Sequence, residues 1–208
     1  MKKNKVEEEE TSSEEQVAQQ INLLTTEPES ILRTMGIYYI TGEITTDSLK
    51  TIQQDILLKH LTGPKVWDQE IQLIINSGGG LTDEAYALLD LIQNIRMDVR
   101  TVGLGTCGSA AAILLAAGTK GKRTVGPSTT IMVHRYSWGT YDKHHELVAH
   151  RSIEDEIHNQ MVNFWTTHSK YKTKKDVEKH LLKTVDNWMT PQMAIDHGII
   201  DKISSNLR

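Results

Sequence analysis

The sequence predicts an α/β fold in a single domain. Three observations carry this reading. Short apolar runs of strand length alternate with longer stretches whose apolar residues fall at helical spacing. Two of the runs end in glycine-rich turns that lead directly into a helix. The length, 208 residues, suits one domain with room for a real core.

Each element follows in chain order. Residues 1 to about 30 are charged and polar, rich in Glu, Gln, Thr and Ser, and read as a mobile tail. The folded part, 31–208, begins near Ile31. Gly36 to Ile40 reads as a strand. Thr46 to Leu61 places Leu49, Ile52, Ile56, Leu57 and Leu61 at helical spacing. Glu70 to Asn76 is a buried strand running into Gly78, Gly79 and Gly80. Thr82 is expected to cap a helix with the stripe Ala85, Leu88, Leu89, Ile92 and Ile95. Asp98 to Leu104 is a third strand, Ala110 to Ala117 a helix of small apolar residues, and Thr129 to Val133 another strand. From about Asp142 to Tyr171 a long polar helix carries only Leu147, Ile153, Ile157, Met161 and Trp165 as an apolar ladder. Such a helix is expected to bury little against its own domain. Thr173 and Asp176 resemble a capping box. Thr190 with Pro191 opens the next helix, Gly198 closes it, and Ile199 to Ile203 is a last strand.

Composition excludes several functions. Lys plus Arg number 23 and Asp plus Glu 27, so no basic excess draws the chain to nucleic acid or anionic lipid. The single cysteine, Cys107, forbids an internal disulfide framework and a multi-cysteine zinc site, which fits a reducing, cytoplasmic setting. The start, MKKNKVEEEE, has no apolar stretch behind its basic residues and is not a secretory signal. The uncharged stretch between Arg100 and Lys120 has the length of a membrane span, but its glycines and hydroxyls fit a strand, a tight turn and a helix better. His145, Glu146 and His150 miss the H-E-x-x-H zinc spacing by one place. His144, His145, His150, His158 and His168 lie in the polar helical region and are expected to be solvated.

Gly103 to Gly108 fits G-x-G-x-x-G between a strand and a helix. A dinucleotide site also wants an acidic residue about 20 positions on to hold the ribose, and none stands between Asp98 and Asp142. The same turn carries Ser109 among Gly108, Ala110 and Ala111. A sharp turn lifts a hydroxyl off the backbone, small neighbours admit a substrate carbonyl, and the first N–H groups of the next helix suit an oxyanion. Local sequence leaves two readings: a nucleophile, or the more ordinary helix N-cap. A serine nucleophile needs a base. His134 stands apart from the other histidines because it closes the apolar run Ile131–Val133. Cys107 reads as core packing.

Taken together, these segments resemble the Clp protease proteolytic subunit (ClpP) family. Gly105 to Gly118 with Lys120 to Arg123 resembles its nucleophile segment. Ile75-Asn-Ser-Gly-Gly-Gly80 is similar to its I-N-S-P-G-G loop. Met132-Val-His134, 25 residues after the serine, is similar to its base segment. Asp186 to Thr190, with Ala194, Gly198 and Asp201, is similar to its D-R-F-L-S segment and ending. The resemblance covers roughly Gly36 to Ile203.

It implies a ClpP/crotonase-like superhelix of repeated strand-strand-helix units with a protruding helical handle, about 137–180. It implies a serine endopeptidase in which Ser109 is the nucleophile, His134 the base and Asp186 its orienting carboxylate, with the backbone N–H groups of Gly80 and Ala110 as oxyanion hole. It further implies a homo-oligomer of two stacked heptameric rings. A partner ATPase of the AAA+ unfoldase class would use the ATP and deliver unfolded polypeptides, and this chain itself would hold no cofactor or metal. A catalytically inactive ring subunit and a crotonase-type acyl-CoA enzyme remain as alternatives. The sequence departs from the family pattern at Gly78 in place of proline, at Ala110 and Ala111 beside the serine, at Arg135-Tyr136 after the base, and at Gln72 and Ile74 in place of tyrosines.

Overall fold

The computed structural model describes residues 27–62, 69–135 and 144–206. Most of the expected N-terminal tail and the opening of the expected handle lie outside the described residues. The elements are α1 (Pro28–Thr34), β1 (Ile37–Ile44), α2 (Thr46–Thr62), β2 (Ile71–Gly80), α3 (Thr82–Asn94), β3 (Val99–Gly108) and α4 (Ala110–Ala116). They continue with β4 (Arg123–Val125), β5 (Thr130–Val133), α5 (His144–His168), α6 (Lys174–His180), β6 (Asn187–Met189), α7 (Pro191–His197) and β7 (Lys202–Ile203).

The strands form one mostly parallel sheet in the order β1-β2-β3-β4-β7. β3 serves two partners in succession. Its first half pairs with β4 at Thr101 to Gly103, and its second half with β5 at Thr106 to Gly108. Gly105, at φ 62°, makes the turn between the two halves. β6 then returns antiparallel along β5, with Val133 opposite Asn187. The core is aliphatic. Ile71, Leu73 and Ile75 of β2 are fully buried, with Leu88 of α3 and Leu114 and Leu115 of α4. Every residue of α4 is buried, which its alanines permit because they let the helix lie close against β2 and β3.

The alternation of strand and helix stands as expected, with differences at the edges. α1 already starts at Pro28, inside the expected tail. β3 runs four residues past Leu104, because its glycines pair in the ladder where composition suggested a loop. β4 and β6 were not anticipated; each is three residues long and too short for a period to register. The last strand is confined to Lys202 and Ile203, while Ile199 and Ile200 are buried in the core. Leu81, not Thr82, occupies the N-cap of α3, and no side chain caps that helix. Thr173 accepts from the Asp176 N–H and Thr190 from the Met193 N–H, as capping predicts, and Gly198 closes α7 in the left-handed conformation at φ 75°.

The expectation for the long helix needs correcting. Met161, Val162, Phe164 and Trp165 of α5 are buried in the main core, Trp165 at 1% exposure. Only the part nearer the start of the helix behaves as expected, with Ile153 at 47% exposure. Two of its histidines are half-buried and engaged by partners. His158 Nε2 contacts Glu178 Oε1 at 2.9 Å, and the His168 ring stacks on Phe164 at 4.2 Å.

Candidate active site

The site forms where β2, β3 and β5 end side by side. Parallel strands bring their C-terminal ends to one edge, and glycines let those ends approach. A Cβ on Gly79 would lie 2.7 Å from Ser109 Cβ and 2.8 Å from the Gly108 carbonyl oxygen. One on Gly80 would collide with the Ile44 carbonyl. Ser77 shapes this turn, since its buried hydroxyl accepts from the Gly79 N–H at 3.0 Å and donates to the Gly42 carbonyl.

Ser109 sits on the next turn at φ 53°, the one non-glycine residue with positive φ among those described. Its N–H donates to the Met132 carbonyl at 2.9 Å, so the β3–β5 ladder continues into the turn and holds it. Ser109 occupies the N-cap position of α4, yet its side chain makes no capping bond. The hydroxyl instead meets His134 Nε2 at 2.7 Å. The ordinary N-cap reading of Ser109 therefore falls. Strain of this kind, held in place by surrounding structure, is characteristic of reactive positions.

His134 follows β5 directly. Because β6 runs antiparallel with Asn187 opposite Val133, the residue before β6 comes to lie beside the residue after β5. That residue is Asp186. Its Oδ1 is 3.7 Å from His134 Nδ1, within ion-pair range and beyond a hydrogen bond. The two side chains differ in environment: His134 is 21% exposed and Asp186 55%. The serine–imidazole contact is thus tight and sheltered, and the imidazole–carboxylate contact is looser and wet.

A small cleft of about 100 Å³ adjoins the serine. Gly80 and Ala110 line it with Ser109 and His134, while Ile113, Val133, Met161 and Trp165 give it an apolar wall. Sequence reasoning missed Met161 and Trp165 here, because a sparse ladder on a polar helix gave no sign that its last turns enter the core. Larger clefts of about 390 and 430 Å³ lie beside Arg33 and Lys120. The second is lined by His168 and Ser169, but the Ser169 hydroxyl donates to the Trp165 carbonyl at 2.6 Å and the His168 ring contacts the Phe164 carbonyl and Gln93, so the two do not form a serine–base pair.

The other candidates resolve plainly. Gly103 to Gly108 lies within β3, with a turn at Gly105, and a Cβ on Gly105 would lie 2.6 Å from Asn76 Oδ1, so its glycine admits a neighbouring side chain and not a phosphate. Burial pushes the Cys107 thiol up to about 12, with a weak bond to the Ile75 carbonyl, which leaves it unreactive. No group of three or more His, Cys, Asp or Glu that could hold a metal lies together among the described residues. None of the described helices is long and apolar enough to cross a membrane.

The sequence pattern of the Clp protease family matches residues 15–206. The chain belongs to the Clp protease family. Among curated relatives it is similar to the chloroplastic ATP-dependent Clp protease proteolytic subunit 4 of Arabidopsis thaliana, at 31% identity over 172 residues. That match covers 80% of this chain and 55% of the relative, so the chain spans about half the length of the protein it resembles. The mixed α/β fold with its mostly parallel sheet accords with family membership.

Proposed function

We propose that this chain is a serine endopeptidase subunit of a ClpP-type protease. The 2.7 Å contact between Ser109 Oγ and His134 Nε2, at a turn built to present that hydroxyl, carries the reading. His134 takes the Ser109 proton as Oγ attacks the scissile carbonyl, and a C–O bond forms while the carbonyl π bond opens to an oxyanion. The backbone N–H groups of Gly80 and Ala110, both on the cleft, hold that oxyanion. His134 then gives its proton to the leaving amine, the C–N bond breaks, and water repeats the sequence on the acyl-serine. Asp186 holds the imidazole tautomer with Nε2 free to accept, and stabilises the imidazolium. The apolar wall receives the side chain preceding the cut bond, and its small volume favours aliphatic residues of modest size. Assembly as two stacked heptameric rings in the cytoplasm, with an AAA+ unfoldase feeding unfolded polypeptides, belongs to the same proposal.

Phosphonylation by a fluorophosphonate tests it. The label should map to Ser109, and Ser109→Ala should lose both label and peptide cleavage while keeping its fold. Label retained in that variant, or found on Ser77 or Ser128, would remove Ser109 from the nucleophile's role.

A further inference from the structure

Base and acid share one support. The last carbonyls of a helix have no partner within the helix and must be satisfied elsewhere. At the end of α6 that partner comes from the residues chemically next to His134 and Asp186. Asn187, which follows Asp186 and is 4% exposed, donates through Nδ2 to the His180 carbonyl at 2.9 Å and to the Leu181 carbonyl at 3.3 Å. Arg135, which follows His134, donates through Nε to the Leu182 carbonyl at 3.0 Å. Three successive carbonyls thus receive the two chain segments that carry the base and the acid.

The support is firm. Leu181 and Leu182 are fully buried, and both of their N–H groups bond back to the Val177 carbonyl. Lys183 Nζ closes the arrangement by donating to Asn187 Oδ1 at 2.8 Å. The imidazole–carboxylate pair itself is loose, at 3.7 Å with Asp186 largely exposed. Asp186 is not held by packing of its own, so its backbone must be placed by what surrounds it.

We infer that the C-terminal turn of α6 sets the spacing between His134 and Asp186, with Asn187 and Arg135 as positioning residues that do not touch substrate. The inference rests on the proposed peptidase chemistry and names how its loosest contact is controlled. It also links the site to α5, because His158 on that helix meets Glu178 of α6 at 2.9 Å. A displacement of α6 would move both segments together.

The test uses the full-length chain, with peptide turnover and the fluorophosphonate reaction rate as parallel readouts. Asn187→Ala should lower kcat by roughly 100-fold, the scale of about a 1 Å misplacement, with KM unchanged. Arg135 is exposed, so Arg135→Ala should fold normally and lower kcat by about tenfold, the loss of one hydrogen bond from a charged group. Arg135→Lys, which keeps a donor, should recover most of that loss. Asn187→Ala combined with Asp186→Asn should be no slower than Asp186→Asn alone, since Asn187 acts through the carboxylate that precedes it. Should Asn187→Ala fail to fold, the Arg135 pair decides. Additive losses, a change in KM alone, or full activity in Arg135→Ala would overturn the inference while leaving the nucleophile and base in place. Full activity in Asp186→Asn would instead remove the acid from the site and the inference with it. No Ser109 labelling in the wild-type chain would sink the peptidase reading itself, and the inference with it.

Discussion

Adding one methyl group to the glycine turn beside the serine should separate two neighbouring positions sharply. Gly79 adopts φ 111°, a region that L side chains rarely enter, and an alanine there costs on the order of 1–3 kcal/mol from backbone strain. The new Cβ would also press on Ser109 Cβ at 2.7 Å, the Gly108 carbonyl oxygen at 2.8 Å and the Ala110 nitrogen at 3.1 Å. Two of these atoms are backbone and cannot swing aside, so overpacking adds roughly 1–3 kcal/mol. The total, about 2–6 kcal/mol, is a large share of the ~5–15 kcal/mol that keeps a domain folded. Gly78 is the control. Nothing lies within 4 Å of a Cβ there, and its φ is not positive. Gly78→Ala should therefore change stability by less than about 1 kcal/mol, with a gain expected because alanine restricts the unfolded chain. Urea unfolding followed by circular dichroism measures both, and the rate of Ser109 phosphonylation reports the site. Gly79→Ala should lose stability and labelling together. Equal stability in the two variants, or normal labelling in Gly79→Ala, would refute the claim that close approach of the two turns builds the site.

Three further outcomes follow from other contacts. Asp201 accepts from Arg123 Nε at 2.9 Å and Nη2 at 2.7 Å and from the Gly121 and Arg123 N–H groups; burial alone would raise its carboxyl, but these bonds hold it below its usual range. Asp201→Asn strands a buried guanidinium and should cost about 3–5 kcal/mol in urea melts. Burial lowers the pKa of His168 and of His197 below the usual 6.5, so the folded chain binds fewer protons than the unfolded one below that pH. Their contribution is complete above pH 6.5 and is lost as pH falls through the folded values. The melting temperature should therefore drop between pH 7.5 and 5.5, less so in His197→Gln. Ile153→Asp, on an exposed turn of α5, should leave folding within about 1 kcal/mol and reduce particle mass in analytical ultracentrifugation, whereas Met161→Asp should unfold the chain. Unchanged mass in Ile153→Asp would mean that this turn makes no contact between rings.

Legibility in the sequence tracked the length of each pattern. The strand read at Glu70–Asn76 and the stripe Ala85, Leu88, Leu89 and Ile92 announced themselves because each is a long apolar pattern. Ser109 could be singled out because it stands among small residues at a strand-to-helix turn, and His134 because it closes the apolar run Ile131–Val133. Asp186 was named by the family resemblance alone; what sets it beside His134 is the register of β6 against β5, and three residues cannot signal a register. The chemical use of Ser109 was also ambiguous from local sequence, since an N-cap serine and a nucleophile occupy the same position. Only the backbone angle and the direction of the hydroxyl separate them. The last turns of α5 misled for a different reason. Met161 and Trp165 are few, but two large side chains fill a small cleft wall as well as many small ones do.

The positive φ of Ser109 sets stability against the hydroxyl at a single codon. A glycine there would relax the turn, by about 1 kcal/mol or more, and would erase the proposed nucleophile in the same step. A population of variants chosen only for heat tolerance would drift toward that glycine. One chosen for covalent labelling would keep the serine and look elsewhere for its stability, with compensation expected in parts of the fold far from the turn.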